Sequence, residues 1–113
     1  MAQFKNTQGI EKIEFKKSVI PYCPLGQKSY VATMHITFIP GEIIMDYLDV
    51  EAELQSLEGK HLLVEDCAEK ALEIIKKYQP RAATVMVETT HAGHFDVSVT
   101  KTYREEINNE ENK

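Results

Sequence analysis

Two cysteines in 113 residues, Cys23 and Cys67, are too few for a disulfide scaffold. Long apolar runs are absent as well. None approaches the roughly 20 residues that a membrane-spanning helix needs, so no membrane role is expected. The opening Met1-Ala2-Gln3-Phe4-Lys5 has no apolar stretch of the signal-peptide kind. A reducing cytoplasm with free thiols is the expected setting. Basic excess is missing too: the formal net charge is −5, which disfavours phosphate-backbone binding and argues against direct nucleic-acid contact. There is no glycine-rich phosphate loop, no Ser-His-Asp arrangement and no basic patch interleaved with aromatics. With 42% hydrophobic and 27% charged residues, the composition is that of a globular protein with one ordinary core.

The hydrophobic pattern changes period along the chain. Gln3 to Lys17 is polar, with Ile13 and Phe15 alternating with charges as a short edge strand would. Pro21, Pro24 and Gly26 make Ile20 to Gln27 a loop that carries Cys23. From Tyr30 to Ile39, Ala32, Met34, Ile36 and Phe38 alternate with Val31, Thr33, His35 and Thr37, which predicts a strand with one apolar face. Pro40-Gly41 then turns into a second short strand over Glu42 to Met45, and the two read as a hairpin. Tyr47, Val50, Leu54 and Leu57 follow at helical spacing, with Asp46 or Asp49 placed to cap and Gly59 to stop the helix. A second helix is predicted from Val64 to Tyr78. Its buried stripe is Val64, Ala68, Ala71, Leu72 and Ile75, and the pairs Asp66–Lys70 and Glu73–Lys77 add about 0.3 kcal/mol each. Arg81 to Glu88 alternates again. A last strand carries Phe95, Val97, Val99 and Tyr103 on one face. The predicted order is ββααββ: an α+β domain over residues 1–104, an antiparallel four-stranded sheet with two helices on one face. The acidic, asparagine-rich tail 105–113 is expected to be disordered.

Three groups of residues invite chemistry. Cys23 lies between prolines, where a rigid loop presents a thiol, and a thiolate is a strong nucleophile when a neighbour assists it. Glu65 and Asp66 open the second helix, where the helix dipole by itself accounts for carboxylates; a glutamate there is also placed to accept paired N–H donors from a purine-like ring. Cys67, in the same turn, reads as packed. His91, His94 and Asp96 form a His-x-x-His-x-Asp cluster, with His35 as a fourth candidate from another strand. Turn histidines are common surface residues, and no metal is assigned to this cluster.

The run Cys23-Pro24-Leu25-Gly26-Gln27, the strand ending Ile39-Pro40, the stretch from Ser56-Leu57 to Glu65-Asp66-Cys67, Pro80-Arg81 and the final hairpin ending at Tyr103 together resemble the 7-cyano-7-deazaguanine reductases (QueF) of the tunnelling-fold (T-fold) superfamily. The resemblance spans about residues 20 to 103. It implies that Cys23 adds to a nitrile carbon to give a thioimide, and that Glu65 anchors the deazaguanine ring, in the pathway to a modified tRNA base. NADPH is the cofactor that it implies. Three features depart from the family pattern. No aspartate follows Cys23 before Asp46, Val64 stands where the family has histidine, and Asp46-Tyr47-Leu48-Asp49-Val50-Glu51 replaces a lysine-bearing cofactor segment. Acidic side chains there oppose phosphate binding, which uses Lys, Arg or aimed amides. A fainter resemblance, through Ile44-Met45-Asp46-Tyr47 and Glu88-Thr89, links the chain to the 6-pyruvoyl-tetrahydropterin synthase group. That group's zinc site needs three histidines in the first half of the chain, where this sequence offers His35.

Three functions follow from these residues: an enzyme acting on a nitrile-bearing deazapurine, a non-catalytic module of the same fold that holds a purine- or pterin-like ring, and a structural subunit. A cyclic homo-oligomer with sites between subunits is expected, because the sheet has two open edges and the family resemblance implies closure into a barrel.

Overall fold

The computed structural model describes residues 3–90 and 96–106. The elements are β1 (Gln3–Lys5), β2 (Ile13–Val19), β3 (Tyr22–Cys23), β4 (Lys28–Ser29), β5 (Val31–Ile39), β6 (Ile43–Met45), α1 (Tyr47–Gln55), α2 (Val64–Lys76), β7 (Ala82–Thr90) and β8 (Val97–Arg104). The main sheet is antiparallel and four-stranded, in the order β2-β5-β7-β8. The α+β architecture read from the sequence is therefore the one observed.

The identity of the first hairpin differs from the expectation. β5 pairs with β2, placing Phe15 opposite Ile36 and Val19 opposite Ala32. The segment Glu42 to Met45 does not pair with β5: β6 lies against β1 in a separate two-stranded ribbon. The reason is one of edges. β5 is central, with β2 on one side and β7 on the other, so neither of its edges is open to a third strand. Nor is β2 short. Its seven residues span the sheet and form one open edge, while β8 forms the other. The open edges thus belong to the hairpins β2–β5 and β7–β8, not to Tyr30–Met45.

Side-chain alternation is as the pattern foretells. Ala32, Met34, Ile36 and Phe38 of β5 are fully buried, as are Ala83, Val85 and Val87 of β7. The register aligns these with Ile13 and Phe15 of β2 and with Val99 and Tyr103 of β8, so one face of the sheet is apolar across all four strands. Both helices cover that face. α2 contributes Cys67, Ala68, Ala71, Leu72, Ile74 and Ile75, and packs on β7, β8 and β5. α1 contributes Val50 and Leu54 and packs on α2 and β2. Asp46 caps α1 by accepting a bond from the Leu48 amide (2.9 Å), the role foreseen for it. Helix α1 ends at Gln55, and Leu57 is buried beyond it, just before Gly59 with φ of 73°. Lys101 pairs with Glu69 across the β8–α2 contact, and Lys77 pairs with Glu53 (2.6 Å) between the helices.

Candidate functional site

Cys23 does not sit in an irregular loop. It closes β3, which pairs with β4 through Tyr22 opposite Ser29 and Cys23 opposite Lys28, so Pro24 to Gln27 is the tip of a tight hairpin. The Gln27 amide donates to the Cys23 carbonyl (2.8 Å), with Gln27 in the left-handed region at φ 55°. The Gly26 amide donates to Cys23 Sγ (3.3 Å). That bond orients the sulfur and leaves its remaining lone pairs for chemistry. The tip is open to solvent, with Leu25 81% exposed, while Cys23 itself is half-buried and leans on the core.

The hairpin is laced to the segment that leads into α2. The Tyr22 amide donates to Lys60 O (2.8 Å), and the Leu62 amide donates to Tyr22 O (3.0 Å). Tyr22 makes a parallel bridge to His61, and their rings lie 4.9 Å apart at 35°. One residue beyond Leu63, α2 begins. The Asp66 carboxylate accepts from the Leu63 amide (3.0 Å), which explains an acid at that position through helix capping alone. Glu65 stands in the same turn and is exposed; its carboxylate has no hydrogen bond or ion pair among the described residues.

Beneath the hairpin lies Tyr30, 4% exposed. Its hydroxyl donates to Leu62 O (2.5 Å) and stands 3.4 Å from Cys67 Sγ. Burial pushes the phenol well above its ordinary value; the bond to Cys67 and the negative charge that Cys67, Cys23 and Asp66 can carry act in the same direction. Burial also raises the Cys67 thiol, helped by Asp66 and opposed by the bond from Tyr30. Tyr78, buried in the core just beyond α2, is raised by burial and by Glu53, Asp49 and Asp46; its hydroxyl has no hydrogen bond among the described residues.

These three shifts fix the sign of an alkaline transition. Each group is held neutral in the fold and ionises more readily in the unfolded chain, so its contribution is intact below the unfolded pKa and is lost as pH rises through the folded one. Stability is expected to begin falling above the ordinary thiol value of 9.0, and to fall more steeply above the tyrosine value of 10.0. The slope is about 1.4 kcal/mol per pH unit for each group. Urea unfolding between pH 8 and 11 reads it. A midpoint that stays flat across that range contradicts the burial of these groups.

Of the residues considered for metal, His35 and Asp96 lie among the described ones. His35 lies on the sheet face away from the helices, with Nε2 3.0 Å from Glu88 Oε1, and it is four residues, about 13 Å, along β5 from Val31, the partner of Thr90. Asp96 is exposed, and His91 and His94 lie outside the described residues. Among the described residues no group of three or more His, Cys, Asp or Glu side chains is arranged to hold a metal ion. In the segment expected to face a cofactor, Asp46 caps α1 and Glu51 pairs with Lys17 (3.6 Å). Tyr30, His61 and the Gly26 amide were missed by the sequence reading. Tyr30 passed for the first residue of a strand, although a tyrosine followed at once by an alternating run could have been marked as a buried phenol in need of a partner.

A four-stranded antiparallel sheet carrying two helices on one face is the tunnelling-fold (T-fold) architecture. An archaeosine synthase of the QueF-like type, solved in its apo form, superimposes with a TM-score of 0.76 over 82% of this chain and 93% of its own, at 20% sequence identity. No family model and no curated protein matches the chain. No helix among the described residues is long and apolar enough to cross a membrane.

Proposed function

We propose that this chain acts on the nitrile of a 7-cyano-7-deazaguanine-like base through Cys23. The observation that carries the reading is the Cys23 hairpin, its sulfur aimed by the Gly26 amide, laced through Tyr22 to the segment that opens α2 with Glu65. The QueF resemblance and the likeness in fold to an archaeosine synthase point the same way. In the proposed step Cys23 Sγ adds to the nitrile carbon. The new C–S bond forms as one π bond of the C≡N group breaks, and the thiol proton ends on nitrogen, leaving a thioimide. Glu65 accepts the ring N–H donors. NADPH does not fit the residues present: Asp46, Asp49 and Glu51 would meet its phosphates with like charge, and no step is assigned through it.

The test is to weigh the intact protein after incubation with 7-cyano-7-deazaguanine. An adduct of the mass of the base supports the reading. Binding of the base without an adduct would instead favour a non-catalytic ring-binding module, the reading that the missing aspartate after Cys23 favours.

The site is proposed to be completed between subunits of a cyclic homo-oligomer. Strand directions alternate across β2-β5-β7-β8, so β8 of one copy meets β2 of the next in the antiparallel sense, and a ring closed this way leaves no free edge. A cleft of about 390 Å³ lies beside β2, and Tyr47 and Leu48 on its rim are 59% and 75% exposed. Light scattering is expected to give a multiple of 12.9 kDa. A stable monomer that still forms the adduct removes the shared-site proposal.

A further inference from the structure

Tyr30 joins three pieces of chain. Its amide donates to Pro21 O (3.2 Å), one residue before the strand that ends in Cys23. Its hydroxyl donates to Leu62 O, just ahead of α2, and meets Cys67 Sγ in the first turn of α2. The two partners of the phenol therefore bracket Glu65 in sequence. The phenol O–H points to Leu62 O, and the Tyr30 hydroxyl and Cys67 Sγ share a hydrogen bond in which either atom can donate. The connection is fully buried: Leu62 is 7% exposed and Cys67 0%. A buried hydrogen bond of this kind has no water to replace it, and loss of the hydroxyl leaves an orphaned carbonyl and an orphaned thiol on the same helix start.

We infer that Tyr30 is a positioning residue that holds the Glu65 end of α2 in register with the Cys23 hairpin. It acts through the peptide segment 62–67. The inference rests on reading Cys23 and Glu65 as two parts of one site. The clamp itself is a property of the ligand-free chain.

Tyr30→Phe keeps the buried ring and removes the hydroxyl alone. In the protein without ligand, amide hydrogen exchange over Val64–Cys67 is expected to quicken about tenfold, while the amides of β5 and β7 keep their protection. With 7-cyano-7-deazaguanine, the concentration for half-maximal adduct formation is expected to rise about tenfold in the Glu65 protein and by less than about twofold in Glu65→Gln, because the hydroxyl acts through that carboxylate. The maximal rate should change less than the half-maximal concentration. Equal losses in both backgrounds overturn the positioning role and leave a structural one. Unchanged exchange at Val64–Cys67 overturns the clamp. Should Tyr30→Phe fail to fold, Cys67→Ala removes the sulfur partner while leaving the Tyr30–Leu62 bond, and the same exchange is read on it. If the wild-type protein forms no adduct, the nitrile reading fails, and the exchange measurements alone decide the clamp.

Discussion

Cys23→Ala is expected to abolish the adduct with 7-cyano-7-deazaguanine, a loss of at least about a thousandfold in its rate of formation, since the hairpin carries no second thiol. The other thiol cannot substitute for it. Cys67 has no exposed surface, and burial raises its pKa, so it stays protonated under the core while Cys23 stands half-open at the hairpin. Cys67→Ala should therefore keep the adduct. Cys23→Ser should lose it, because a hydroxyl ionises far less readily than a thiol and no aspartate follows Cys23 on the hairpin to take its proton. Intact mass spectrometry separates all three variants. An adduct that survives in Cys23→Ala moves the chemistry to another residue and ends the present assignment.

Glu65→Gln is expected to weaken binding of the base more than tenfold while thermal stability hardly moves. The two effects have different sources. In the free chain the Glu65 carboxylate is exposed and lacks partners among the described residues, so its contribution to folding is the helix-dipole term of about 0.3–1 kcal/mol. Against a ring that donates two N–H groups, the ionised carboxylate is worth of order 2–3 kcal/mol, and 1.4 kcal/mol is already a factor of about ten. Asp66 is the control. It caps α2 through the Leu63 amide, so Asp66→Asn should lower the melting temperature by a few degrees and leave ring binding close to wild type. A reversal of the two, with Glu65 mattering for melting and Asp66 for the base, would exchange their roles. Calorimetry and a binding titration on the same preparations read both.

Local patterning determined much of this protein without any knowledge of the fold. The alternation in Ala32, Met34, Ile36 and Phe38, the helical spacing of Ala68, Ala71, Leu72 and Ile75, and the cap at Asp46 each depend on neighbours within a few residues, and each is found where the periodicity places it. Which strand lies beside which was decided elsewhere. β6 follows β5 closely and looks like its hairpin partner, but β2 and β7 occupy both edges of β5, and edge occupancy is a property of the whole sheet. The site divides in the same way. Cys23 and Glu65 were legible as residue types in suggestive settings, one between prolines and one at a helix start. Tyr30 was not, because its meaning lies in Pro21, Leu62 and Cys67, which only the closed chain brings to it. His35 shows the opposite outcome: a candidate ligand by type, it became the partner of Glu88 once the register of β5 and β7 was set. Periodicity is written in short-range spacing and survives in the sequence. Hydrogen-bond partnership between distant segments is not, since it arises only when packing removes water and brings a buried donor within reach of an acceptor.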